Sequence, residues 1–198
     1  MTEVDAVGST LLRAARDVLA AEGPGALTVR RIAAEAGVST MNVYSRFGGK
    51  DGVIDHLFTE GFERLSEAVA ATPQTDDPLD DLRRCGGQYR QFALANPTYY
   101  SIMFDRVVPD HVPSPEALER AGATLQQLAD HVARAMQADA ISTGDPLEVA
   151  ASLWATTHGL VSLELKDAKP ASIDWARVFD TTVAALVRGL AAGAQSTP

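Results

Sequence analysis

Cysteine occurs once in the 198 residues, at Cys85, so the chain can form neither an intramolecular disulfide nor a multi-thiolate zinc site. No apolar stretch approaches the roughly 18 uninterrupted residues of a membrane span, and no segment alternates apolar and polar residues as a half-buried strand would. The opening MTEVDAVGST has no basic n-region followed by an apolar run, so no signal peptide is expected; with the lone thiol this points to the cytoplasm. Enzyme motifs are missing as well. Tyr44 stands where the first glycine of a phosphate-binding loop ending at Gly49-Lys50 would have to be, and Asp51 follows the lysine. There is no H-E-x-x-H and no Gly-x-Ser-x-Gly, and His56, His111, His131 and His158 lack metal-ligand spacing. Asp76-Asp77 and Asp80-Asp81 lie in a turn and at a helix start, where carboxylates favour the positive end of the helix dipole. The expectation is a chain with no metal, no cofactor and no catalytic residue.

What is present is ordinary globular composition, 46 % hydrophobic and 22 % charged, which excludes a disordered tail. A chain of this length makes one domain or two small ones and buries roughly 70 % of its unfolded surface. The net charge of −9 is unevenly spread. Residues 9–50 carry six basic and three acidic groups, net +3, whereas residues 1–8 carry −2 and residues 51–198 carry −10. Charge acts over about 8 Å at physiological salt, so the basic segment can approach a polyanion that the rest repels.

Nearly every segment has helical periodicity, and the fold class expected is all-α with about nine helices. Leu11, Leu12, Ala15, Val18 and Leu19 form a stripe that starts at Ser9 or Thr10 as cap and stops at Gly23-Pro24-Gly25. Val29, Ile32, Ala33 and Ala36 form a second stripe after Thr28, ending at Gly37. Ser39 caps a third short helix with Val43 and Phe47 inward, closed by Gly48-Gly49. A fourth helix runs from Lys50 to about Ala71, a fifth from Leu79 to Asn96-Pro97, and a short aromatic one over Thr98–Asp105. A proline-rich loop, Val107–Pro115, precedes helices over about Ser114–Ala138, Pro146–Lys166 and Ser172–Ala192.

The segment Thr28–Lys50 has the spacing of a helix-turn-helix: a helix, a tight turn at Gly37, and a second helix. With Val43 and Phe47 inward, Thr40, Met41, Asn42, Ser45 and Arg46 face out, and short polar side chains beside an arginine suit base edges in the major groove. Tyr44 and Lys50 can donate to phosphate oxygens, Lys50 at a helix start where unpaired N–H groups favour an anion. Taken singly, Tyr44 could equally be a half-buried core residue, and Arg30 and Arg31 a solvated face. Together with Ala33, Gly37, Val38 and Ser39, the run Tyr44-Ser45-Arg46-Phe47 before Gly49-Lys50 resembles the N-terminal domain of the tetracycline repressor (TetR) family over about residues 9–62. The resemblance implies that Thr28, Tyr44 and Lys50 hold phosphates, while Arg30, Thr40, Met41, Asn42, Ser45 and Arg46 are candidates for base contact beside Ser39 at the turn. Two departures stand out. Met41-Asn42 replace a small residue and a threonine, and Gly52 replaces the usual glutamate-rich start of the fourth helix, which it should slightly weaken.

The resemblance divides the chain into a DNA-binding domain over residues 1–50 and an effector-binding and dimerisation domain over 51–198. Trp154-Ala155-Thr156-Thr157-His158-Gly159, with Pro97–Phe104, is similar to the C-terminal domain of a branch carrying a Trp…His-Gly motif. The aromatic residues of this half cluster: Tyr89 with Phe92, Tyr99 and Tyr100 with Met103 and Phe104, and Trp154 with His158. With Leu57, Phe58, Gly61 and Phe62 from the fourth helix, they could line an apolar cavity for a small effector, or be ordinary core. In the last helix Trp175, Val178, Phe179, Thr182 and Leu186 make one apolar face and Val183, Val187 and Leu190 another. Ala151, Ala155 and Ser162 belong to a small-residue surface on the helix before it. Two apolar faces need two partners, one of them a second copy of the chain. The function expected is a dimeric regulator of a palindromic operator on double-stranded DNA, a repressor released by a small apolar effector, with no membrane partner. The alternative is a helical ligand-binding or interaction protein that does not read DNA specifically.

Overall fold

The computed structural model describes residues 4–105, 108, 111–166 and 169–194, with side chains through residue 191. Its described residues form α1 (Ala6–Glu22), a 3-10 turn (Pro24–Ala26), α2 (Val29–Glu35), α3 (Thr40–Phe47), α4 (Lys50–Ala70) and α5 (Pro78–Ala95). They continue through α6 (Pro97–Phe104), α7 (Pro115–Gln137), α8 (Pro146–Glu164) and α9 (Trp175–Ala194), with no strand among them. The all-α expectation therefore holds. Val107 and Pro109 of the proline-rich loop lie outside the described residues. Two compact units divide the chain: Met1–Phe62 with Asn96–Arg120, and Glu63–Ala95 with Ala121–Pro198.

In the first unit α1 starts earlier than the apolar stripe implied. Asp5 is the cap, its Oδ1 accepting the Gly8 N–H at 2.7 Å, while Thr10, inside the helix, donates its hydroxyl to Ala6 O at 2.9 Å. Gly8 permits this start, because a Cβ there would stand 2.7 Å from Val4 Cγ1 and 3.2 Å from Asp5 Oδ1. Leu11, Ala15, Val18, Ile32, Val43, Val53 and Leu57 form the buried centre, each large apolar side chain stabilising the fold by roughly 1.5–3 kcal/mol.

The helix-turn-helix follows from local chemistry. Thr28 Oγ1 accepts the Arg31 N–H at 3.1 Å and starts α2. Gly37, at φ +67°, reverses the chain, a conformation that a side chain would strain. Ser39 occupies the cap position of α3, yet its side chain makes no capping bond; its Oγ accepts from the Asn42 amide at 3.1 Å instead. Gly48, at φ +71°, ends α3 by donating its N–H to Tyr44 O at 2.9 Å. The structure gives Gly52 a role beside the expected one. A Cβ at this position would collide with the Phe47 carbonyl oxygen, so the glycine admits the end of α3 against the first turn of α4 rather than merely weakening that helix.

In the second unit α5, α8 and α9 pack on one another. Leu82, Cys85, Tyr89, Phe92, Leu153, Val161, Phe179, Val183 and Val187 are buried there. Charged pairs are built into this packing. Arg90 grips Glu164 bidentately at 2.8 and 2.6 Å and lies 5.5 Å from the centre of the Phe179 ring. The buried Asp81 carboxylate accepts Thr75 N–H at 2.8 Å, Thr75 Oγ1 at 2.9 Å and Arg134 Nη1 at 2.6 Å. Burial pushes Asp81 upward, but these three donors outweigh it and hold the carboxyl below the usual range. Asp174 Oδ1 accepts the Arg177 N–H at 3.0 Å, which starts α9 at Trp175 rather than near Ser172.

Candidate nucleic-acid interface

The recognition face is the outer side of α3. Val43 and Phe47 are buried while Thr40, Met41, Tyr44 and Ser45 are exposed. Met41 is 70 % exposed and Tyr44 55 %, so a methionine and an aromatic ring stand in solvent on the face turned away from Val43 and Phe47. Asn42 and Arg46 are half-buried beside them, and Lys50 is half-buried at the start of α4. The two arginines of α2 differ in a way the sequence did not reveal. Arg31 is tied to Glu22 at 2.6 Å and Glu35 at 2.8 Å, whereas Arg30 is exposed and has no ion-pair partner among the described residues. Thr28 is exposed, and its hydroxyl keeps a proton to donate while its oxygen caps α2.

Arg46 is not a free cation. Its Nε donates to Asp5 Oδ1 and Oδ2 at 2.8 and 3.1 Å, and its Nη2 to Oδ2 at 2.7 Å. Nη1 donates to Asn42 Oδ1 at 2.9 Å, with Ser45 Oγ at a long 3.4 Å. The bonds from Arg46 and from the Gly8 N–H hold the Asp5 carboxyl down at about 2, so it is ionised at neutral pH. Placing the start of α1 at Ser9 or Thr10 hid this residue. The signal that could have found it is an aspartate three residues before Gly8, the position of a helix cap.

The effector candidates fall into two groups. Leu57, Phe58, Gly61, Phe62, Tyr99, Met103 and Phe104 belong to the first unit. There Phe62 stands 4.9 Å from Phe58 and 5.5 Å from Phe104, ring centre to ring centre. A Cβ on Gly61 would lie 2.7 Å from Met103 Sδ, so α4 and α6 are in close contact. An apolar cavity of about 320 Å³ in this unit is lined by Phe58 and Met103 together with Leu19, Ile54, Ile102 and Leu118, among others. Tyr89, Phe92, Trp154 and His158 belong to the second unit, where Tyr89 Oη lies 2.9 Å from His158 Nδ1 and the Trp154 and His158 rings are 5.6 Å apart.

The dimerisation candidates are sorted differently from the two faces drawn on the sequence. Phe179, Val183 and Val187, spaced by four, are buried inside the second unit, on the side of α9 that packs on α5 and α8. Ala151, Ser162, Trp175, Thr182, Leu186 and Leu190 are half-buried and Ala155 is exposed, so these remain the residues with surface for a second subunit.

An exposed α3 set behind the Gly37 turn and α2 is the arrangement of a helix-turn-helix DNA-binding motif. Residues 11–57 match the bacterial regulatory proteins of the tetR family, and residues 82–186, more than half of the chain, match the tetracyclin repressor-like C-terminal domain. The chain belongs to the tetR family. It is similar over 96 % of its length to a Rhodococcus sp. RHA1 protein of unknown function, with 25 % identity, 98 % of that chain covered and a TM-score of 0.83. The fatty acid degradation regulator FadR of Bacillus halodurans shares the fold at 18 % identity, covering 96 % of this chain and 98 % of that one, with a TM-score of 0.75. A tetR-family regulatory protein of Rhodococcus RHA1 does so at 19 %, covering 94 % and 97 %, with a TM-score of 0.74. None of the curated proteins matches this chain at a significant level. Among the described residues no helix is long and apolar enough to cross a membrane.

Proposed function

We propose that this protein is a homodimeric, cytoplasmic transcriptional repressor that binds a palindromic operator and is released from it by a small apolar effector. The observation that carries the DNA-reading part is α3 itself: Met41 and Tyr44 stand in solvent beside Thr40 and Ser45 while Val43 and Phe47 anchor the helix. Thr28, Tyr44 and Lys50 hold phosphates, and Arg30, Thr40, Met41, Asn42, Ser45 and Arg46 face the bases, with Ser39 beside them at the turn. Functionally, residues 1–50 bind DNA and residues 51–198 bind effector and dimerise.

Dimerisation runs through the half-buried residues of α8 and α9, and two-fold symmetry sets two recognition helices roughly 34–36 Å apart, one turn of the duplex. The effector is apolar because the cavity beside Phe58 and Met103 is lined almost wholly by apolar side chains, Leu19, Ile54, Ile102 and Leu118 among them. Trp154–Gly159 is read as the Trp…His-Gly motif of one branch of the family. Effector binding shifts α4 and destroys the operator spacing, which requires the effector to prefer the non-binding state by a few kcal/mol.

The test is selection of genomic fragments by the purified protein at about 150 mM salt, where phosphate contacts alone give only about 10⁻⁴ to 10⁻⁶ M affinity. A shared inverted repeat is expected. Tyr44→Phe and Lys50→Ala should weaken binding to every sequence alike, and removing the Lys50 charge should make the log–log salt dependence shallower by about 0.9 for each phosphate it neutralises. Enrichment of no sequence by a folded dimer would overturn the operator reading.

A further inference from the structure

A guanidinium has five N–H groups, and a guanine edge needs two of them, side by side, for its O6 and N7. In Arg46 the Nε–H and one Nη2–H are taken by Asp5, and one Nη1–H by Asn42 Oδ1. By count one hydrogen remains on each terminal nitrogen, and Ser45 Oγ stands at a long 3.4 Å from Nη1. Both ends of the array are tied down. Asp5 Oδ1 accepts the Gly8 N–H at 2.7 Å, and the Asn42 amide donates to Ser39 Oγ at 3.1 Å. Gly8 carries no Cβ, and one built there would crowd Asp5 Oδ1 at 3.2 Å. The pair is accessible to a duplex, with the Arg46 side chain 27 % and the Asp5 side chain 55 % exposed.

We infer that Asp5, outside the helix-turn-helix, is a specificity-determining positioning residue: it grips one edge of Arg46 so that the terminal Nη1/Nη2 pair is held ready for a guanine. An arginine on a mobile stem binds any phosphate within reach; one fixed by a carboxylate and an amide has lost that freedom before DNA arrives. It reads a base without a further ordering cost. The Asp5 charge also repels phosphates in any other approach. This inference rests on the DNA-binding reading above, and two DNA probes separate the two.

The inverted repeat recovered by the parent protein and a random-sequence duplex of equal length are titrated with the parent, Asp5→Asn, Asp5→Glu, Arg46→Ala and the double variant Asp5→Asn/Arg46→Ala. Asparagine is as good a helix cap as aspartate, and a melting curve checks that each variant is folded. Asp5→Asn is expected to weaken binding to the repeat about tenfold, part of what a bidentate base contact supplies, and to leave random-sequence binding unchanged or tighter. A guanine preference at one position of each half-site should fade. Asp5→Glu keeps the charge but misplaces the grip, so it loses the same preference. In the Arg46→Ala background, Asp5→Asn should cost nothing further. Asp17→Asn, which removes an exposed acidic charge from α1, should leave the preference intact. Equal changes on both DNAs, an unchanged guanine preference in Asp5→Asn, or the same effect from Asp17→Asn would overturn the inference while leaving the operator reading standing. Recovery of no repeat by the parent would overturn both.

Discussion

The two compact units differ in how they turn the chain and in how deeply they bury their ion pairs. Among the described residues every glycine with positive φ, at positions 23, 37, 48 and 49, lies in the first unit; the second has only Asp139 in that region. Both units use ion pairs between elements, but the second buries their acidic partners, Glu164 under Arg90 and Asp81 under Arg134, whereas the first keeps Glu22 and Asp5 exposed. A unit whose task is to display a short helix at a fixed angle needs tight turns and close backbone approach, which depend on missing side chains. Long helices packed side by side instead leave polar groups between them to be satisfied, and ion pairs from α5 to α8 and from α5 to α7 do so.

The sharpest way to break this comparison is Gly52→Ala. If close approach is what the first unit depends on, the new methyl must displace the Phe47 carbonyl, a cost of about 3 kcal/mol, at the upper end for overpacking. A thermal melt should show a large loss, and DNA binding should fall with it as the end of α3 moves. A melting temperature equal to the parent's would show that the contact relaxes freely.

Arg134→Met tests the other side. Methionine keeps much of the side-chain volume but strips Asp81 of a charged donor, and a buried acceptor left short of partners costs about 1–3 kcal/mol. Since Asp81 titrates below its usual value in the folded protein, its contribution is present above pH 3.8, the unfolded value, and is lost as the pH falls through the lower folded value. Urea denaturation should therefore show the full difference between parent and variant at neutral pH and a shrinking one below about pH 4. A difference independent of pH would mean that Arg134 acts through packing and its bond to the Thr75 carbonyl rather than through the Asp81 charge.

The smallest effect has the opposite sign. Gly122 lies inside α7, exposed, with nothing within 4 Å of a built Cβ. Gly122→Ala should stabilise the protein by about 0.5–1 kcal/mol by reducing the freedom of the unfolded chain, seen as a higher melting temperature. A loss at Gly122 as large as that at Gly52 would abolish the contrast between the units.

The recognition helix was legible in the sequence because its determinants are local: Gly37 turns the chain, Val43 and Phe47 lie four apart, and Gly48 stops α3. The start of α1 was not, because Ser9 and Asp5 are both good caps and the choice depends on Gly8 meeting Val4 and on Arg46 arriving from α3. Gly52 looked like a weakness for the same reason: helix propensity is a local quantity, and the approach of the Phe47 carbonyl is not. The faces of α9 were misdivided because the sequence shows that Phe179 and Val183 are apolar without showing which neighbours cover them.

By itself, then, the order of residues determined an all-helical chain, the position of its helix-turn-helix and its family, because periodicity, caps and turn glycines act over a few residues and need nothing else. Tertiary structure decided which arginine is held and by whom, Arg31 by Glu22 and Glu35 and Arg46 by Asp5. It also decided which apolar rows are already covered and which aromatic residues meet. Those outcomes depend on groups far apart in the chain whose distance only packing sets, and charge and apolar contact take their strength from that distance.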